Sequence, residues 1–206
     1  RLIMSYNCIK PTNYILIADA AVEPITLDEV KTNLKITTTD YDTILTPMIK
    51  TAVSKCEGVT GRDFITKSYR AYLDKFPTDN RIAIKIEKSK LQSVASIQYY
   101  KNDVLVTLDA AKYYITSDAD YSYIFIKSGE SYPDDVDDRV QAIHINTNVG
   151  YGDTAADVPQ GIKQALIAYI AMLYNNAGDC AIDKADNLAL NLLSGYVISE
   201  LLFDVI

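Results

Sequence analysis

The sequence predicts an α+β fold: a helical core made by N- and C-terminal helices, with an antiparallel β-sandwich or small barrel inserted between them. Three observations predict it. Apolar residues recur at three- and four-residue spacing near both ends of the chain. Between about Ile65 and Val149 the period changes to two, with β-rich composition. Turn residues punctuate that middle region at short intervals. The chain has 206 residues, 49% apolar and 23% charged, ordinary proportions for a globular domain. One composite domain is expected: a lead-in and helices over 1–64, a β-rich insertion over 65–150, and C-terminal helices with a tail over 151–206.

Residues 1–25 read as a mixed lead-in holding a short apolar run, Tyr14-Ile-Leu-Ile-Ala18. Thr26-Leu-Asp-Glu29 is a capping box: the Thr26 hydroxyl accepts the Glu29 amide and the Glu29 side chain reaches back. A short helix follows, to about Leu34. Asp40 is placed to cap the next helix, about Tyr41 to Thr60. Its stripe is Ile44, Leu45, Met48, Ile49, Ala52, Val53 and Cys56, and Gly61 closes it in a left-handed conformation. Pro47 falls in its early turns.

Seven strand-like runs come next: Ser68–Phe76, Arg81–Ile86, Leu91–Tyr100, Val104–Leu108, Tyr113–Ser117, Tyr121–Lys127 and Val140–Asn148. Gly150-Tyr-Gly152 ends this region. Asp157-Val-Pro159 opens a helix with the stripe Ile162, Ala165, Leu166, Tyr169, Met172 and Leu173, closing at Asn175-Asn-Ala-Gly178. The pattern resumes at Leu188–Leu193, and the end is apolar: Val197-Ile-Ser-Glu-Leu-Leu-Phe-Asp-Val-Ile206.

Several functions are disfavoured. Net charge is −7 with no basic face, so dedicated nucleic-acid binding is not expected. No apolar run is long enough to span a membrane, and no secretory leader is expected. Cys8, Cys56 and Cys180 are dispersed, without metal-site spacing, and fit a reducing compartment. Cys56 reads as a buried thiol. His144, the only histidine, reads as a surface strand residue. No Walker A loop, HExxH or GxSxG occurs, so no catalytic, cofactor or metal residue is assigned.

Three features remain. The first is an acidic run, Asp134, Asp135, Asp137 and Asp138. It lacks the glycine and glutamate of a calcium loop and reads as a solvated acidic surface. The second is Gly150-Tyr-Gly152, a tight strand-to-helix turn; Asp153 and Asp157 would repel a phosphate there. The third is the tail, which packs on its own core or fills a groove on a partner.

The ordered pieces resemble the head-tail connector (adaptor) proteins of tailed bacteriophages and gene transfer agents. They are Glu23-Pro-Ile-Thr-Leu-Asp-Glu-Val-Lys31, the helix start from Asp40 to Ile49, Val59-Thr-Gly-Arg62, Leu73-Asp-Lys-Phe-Pro77, Leu91–Tyr100, Val149-Gly-Tyr-Gly-Asp153, Val158-Pro159, Ile162–Leu166 and Leu173-Tyr174. The resemblance spans about residues 23–176. It implies a non-enzymatic virion protein, assembled in the host cytoplasm. Such proteins form a ring of identical subunits, usually twelve, beneath the portal at the capsid vertex. The ring joins the portal to stopper or tail-completion proteins and extends the DNA channel, which DNA crosses without specific binding. Terminal segments often dock to the portal, which points here to Tyr196, Leu201, Leu202 and Phe203. The acids at 134–138 would face the channel or a loop surface.

Two other readings compete. Sixteen tyrosines fit a Tyr-rich β module for a carbohydrate or host surface, with exposed rings on one β face, while the absence of tryptophan, the usual sugar-stacking residue, counts against it. Paired carboxylates such as Asp135 and Asp138 fit an acid-dependent hydrolase, which requires one carboxyl with a raised pKa.

Overall fold

A computed structural model describes residues 7–176 and 183–198, with side chains described in the second stretch from residue 188. Among these residues the fold is α+β, with four α-helices and two sheets, of four and five strands. The chain divides into two compact units. Residues 7–19 and 67–150 form the β unit, while 20–66 and the described residues from 151 onward form the helical unit.

The helical unit holds α1 (Leu27–Leu34), α2 (Asp42–Thr60), α3 (Gln160–Asn175) and α4 (Asp183–Leu193). Local chemistry sets their ends. Thr26 and Glu29 form the predicted capping box, with the Glu29 amide bonded to Thr26 Oγ1 at 3.1 Å and the Thr26 amide to Glu29 Oε2 at 2.8 Å. Gly61 closes α2 at φ 68°, its amide on the Glu57 carbonyl. Asp40 does not cap α2: Tyr41 is the cap residue, already in helical conformation and without a side-chain bond. Asp42 in the first turn instead pairs with Lys31 Nζ at 2.7 Å. Pro47 sits in the second turn, where its missing N–H forgoes one helical hydrogen bond. Ile25, Leu45, Ile49, Cys56, Phe64, Ile162 and Leu166 belong to one buried cluster. Cys56 is there the buried thiol the periodicity implied.

The β unit holds β1 (Cys8–Ile9), β2 (Asn13–Ala18), β3 (Lys67–Leu73), β4 (Ala83–Ile86), β5 (Leu91–Lys101), β6 (Val104–Thr107), β7 (Tyr113–Ser117), β8 (Ser122–Ile126) and β9 (Ile143–Val149). The five-stranded sheet runs β2-β3-β9-β5-β6 and is antiparallel throughout. The four-stranded sheet runs β1-β4-β8-β7. It departs from the antiparallel expectation at one edge, where β1 runs parallel to β4. Ala71 and Leu73 of β3, Ile84 and Ile86 of β4, Ile97 of β5, Ile124 of β8, and Ile143 and Ile145 of β9 share one buried cluster. Alternation puts each of these side chains on the inner face of its strand, so the sheets enclose the core in a sandwich-like manner. The lead-in, taken with the helices by the sequence, supplies β1 and β2 to these sheets. Tyr14 of β2 fastens it: its hydroxyl accepts the Glu87 amide at 3.0 Å.

Candidate functional site

No group of three or more His, Cys, Asp or Glu side chains is placed to hold a metal among the described residues. No described helix is long and apolar enough to cross a membrane. The two candidate surfaces, the acidic run and the tail, are built differently.

The acidic run lies in the connection between β8 and β9, and most of its carboxylates have local partners. Asp137 accepts the amides of Asn102 and Asp103, each at 2.8 Å. Those two residues form the β5–β6 hairpin turn at φ 51° and 60°. Such a turn leaves its amides pointing outward, and a carboxylate is a strong acceptor for them. Asp135 pairs with Lys101 on the same hairpin. Asp138 pairs with Lys75 at 3.0 Å, both ends exposed. Asp134 is exposed beside them. The Lys101 ammonium holds the Asp135 carboxyl below its usual range. A hydrolase acid needs the opposite shift, so the Asp135–Asp138 reading has no support here. Together with Phe76, Pro77 and Tyr132, three of these acids, Asp134, Asp137 and Asp138, line an open groove of about 890 Å³.

The start of the tail is tied to the helical unit. Arg62 Nε donates to the Tyr196 carbonyl at 2.6 Å, and the Ile198 amide to the Thr60 carbonyl at 3.1 Å. The Tyr196 ring lies over Gly161 of α3: a Cβ there would stand 2.6 Å from the Tyr196 hydroxyl. Tyr196 thus works as an anchor to its own unit. Leu201, Leu202 and Phe203 lie outside the described residues.

Gly150-Tyr-Gly152 is a turn and not a phosphate cradle. Gly150 takes φ 128°. Gly152 lies so close to Asp157 that a Cβ would come within 2.4 Å of it. Asp157 is occupied with its own cap, accepting the Thr154 amide and hydroxyl at 2.9 Å each.

On β9, His144 is buried at 9% exposure, contrary to the surface reading. The rings of Tyr72 and Tyr100 meet it edge-on, with centroids 4.9 and 5.5 Å away. Its Nδ1 has no hydrogen-bond partner. Burial, with Arg70 second, lowers its pKa. The neighbouring positions form a polar ladder. Asn148 bonds Ser68 and Ser93, while Asn146 bonds Arg70 and Ser96.

Sequence reasoning placed Asp137 in the acidic run but missed its hold on the hairpin amides, and it missed the roles of Arg62 and Lys163. Lys163 of α3 is buried and pairs with Glu29 of the capping box at 3.0 Å. Only Arg62 carried a local signal, since it directly follows the glycine that ends α2.

Two comparisons bear on these surfaces. Residues 24–116 match the model of a family described as phage gp6-like head-tail connector protein. That stretch runs from just before α1 into β7. The fold is similar to a chain in the neck of an empty gene transfer agent particle computed with C6 symmetry. There the TM-score is 0.70 at 18% identity, covering 89% of this chain and 95% of that one. A chain in the virion of a native gene transfer agent particle gives 0.67 at 16% identity, covering 86% and 93%. One in the neck of the native particle, computed with C12 symmetry, gives 0.65 at 18% identity, covering 89% and 94%. No curated protein sequence matches the chain. The matched family is structural, as the motif order implied.

Proposed function

We propose that this protein is a head-tail connector (adaptor) subunit of a phage-like particle. It forms a ring of identical copies, twelve by analogy, beneath the portal. The ring joins the portal to stopper or tail-completion proteins and continues the DNA channel. The carrying observation is the connector-family match over residues 24–116, on a fold similar to a gene transfer agent neck chain over 89% of this chain and 95% of that one. In this reading the helical unit with its packed N- and C-terminal helices is the frame, and residues 67–150 are inserted into it and join the lead-in strands in the β unit. The tail from Tyr196 docks to the portal through Leu201, Leu202 and Phe203, with Tyr196 fixing its point of departure. The acidic loop at 134–138, exposed at Asp134, Asp135 and Asp138, faces the channel or an adjoining surface, where like charge keeps DNA moving.

The Tyr-rich β-module reading fits the side chains less well. It requires rings displayed on one β face. Tyr69, Tyr72, Tyr113, Tyr123 and Tyr132 are instead buried, and Arg139 covers Tyr100 at 3.9 Å. Portal affinity tests the proposal. The full chain should bind the portal of its own particle, and removing residues 199–206 should weaken that binding at least tenfold. Equal binding by the truncated chain would refute the docking assignment.

A further inference from the structure

The connector reading requires a ring, and a ring requires two different surfaces on each copy that fit one another. The helical unit carries two apolar surfaces on different helices. One is a groove of about 380 Å³ beside α1, lined by Val22, Ile25, Leu27 and Ile49, with Glu23 and Lys50 among its polar lining residues. Val22 there is 46% exposed. The other is on α4, where Ala189 and Leu193 point into the fold while Leu188 is 57% and Leu192 38% exposed. These two leucines are four residues apart, so they stand about 6 Å apart along one flank of the helix. α1 packs on α2 and α3, and α4 packs on α3 and α2. The α2–α3 pair is thus the common layer, with the groove at α1 and the leucines at α4.

The ring of the connector reading supplies a second copy as the occupant, and charge decides which surfaces can meet. Each chain carries −7, so copies repel unless they meet through uncharged surface. From Asn187 to Ile198 there is no charged residue, although acids and bases are spread through most of the chain. A helix presenting leucines at four-residue spacing suits an apolar groove.

We propose that Leu188 and Leu192 of α4 dock into the groove around Val22 and Ile49 of the neighbouring copy, forming the head-to-tail contact of the ring. The inference rests on the connector reading, and the test separates the two. Three proteins are incubated with the portal from the same particle: the unaltered chain, the double variant L188D/L192D, and the cross-linking pair Val22→Cys with Leu192→Cys. Bound copies are counted by native mass spectrometry. Circular dichroism checks the folding of both variants; the replaced leucines and Val22 are exposed. The unaltered chain should load as a full ring. The aspartate variant should load incompletely, by at least tenfold fewer complete rings at equal concentration. Under mild oxidation the cysteine pair should give a ladder of covalent multimers that neither Val22→Cys alone nor Leu192→Cys alone gives, with the three native cysteines present in each. Complete rings from L188D/L192D, or no ladder from the pair, would overturn the proposed contact and leave the connector reading standing. Absence of any loading by the unaltered chain would overturn both.

Discussion

His144 sits edge-on between Tyr72 and Tyr100 with Nδ1 buried and unpartnered. Burial and then Arg70 lower its pKa, which favours the neutral ring in the folded state. A group whose folded pKa lies below its unfolded value of about 6.5 contributes stability in full above that pH. The contribution is lost as pH falls below about 6.5. His144→Phe keeps an aromatic ring between the tyrosines and removes the titration. Thermal melts should therefore fall less steeply between pH 6.5 and 5 in the variant than in the parent. Parallel slopes would remove His144 from the account. Gly161 is the second telling residue. Alanine there gains about 1 kcal/mol of helix propensity. Its Cβ, however, collides with the Tyr196 ring. Overpacking of this kind costs about 1–3 kcal/mol. Gly161→Ala should expose the chain at 196–198 to proteolysis, with little change in the helical circular dichroism signal.

At the scale of elements, the capping box does more than start α1. Glu29 accepts the Thr26 amide and also pairs with the buried ammonium of Lys163. Losing a cap costs about 1 kcal/mol. Glu29→Ala should cost at least that in urea unfolding, because Lys163 is left without its carboxylate. The Thr26 hydrogen bonds, more than Lys163, lower the Glu29 pKa. Its contribution is therefore present above about pH 4.5 and lost as pH falls below it. In the β5–β6 hairpin, Asp137 holds two turn amides. Asp137→Ala should cost about 1 kcal/mol. It should also speed hydrogen exchange at Asn102 and Asp103 while sparing β9. Unchanged exchange at both amides would contradict the bracing role.

These elements also show what the sequence could reveal. All seven runs between Ser68 and Asn148 became strands, because alternation and turn residues are local signals. β2 was legible only as an apolar run, since what makes it a strand is pairing with β3, far along the chain. The two residues of β1 carry no pattern at all. Asp40 looked like a cap by type, yet the chain enters α2 already helical at Tyr41 and leaves Asp40 no capping geometry. Asp137 looked like part of a solvated acidic patch. Its partners lie on another hairpin, so only the fold could reveal its bond.

At the scale of the whole molecule, two compact units share one chain, which crosses from one to the other near Asp19, Thr66 and Gly150. The motif order from Glu23 to Tyr174 made the connector likeness readable, because capping boxes, helix exits and turns keep their sequence when a fold is kept. Docking surfaces leave no such trace: Leu188 and Leu192 read as ordinary stripe residues until their exposure was known. An acidic chain assembling into a ring also has a salt signature. Screening shortens the reach of repulsion between copies to about 8 Å at physiological ionic strength. Ring formation on the portal should therefore be favoured between about 10 mM and 150 mM salt, as the Debye length shrinks. Ring yield that falls over this range would mean that attraction between charges, and not apolar contact, holds the copies together.

The most direct measurement is electron microscopy of this protein mixed with the portal of its own particle, beside each component alone. The account predicts an additional ring layer on the portal, with the same rotational symmetry in every particle that carries it. Portal rings left bare at micromolar protein would contradict the connector function.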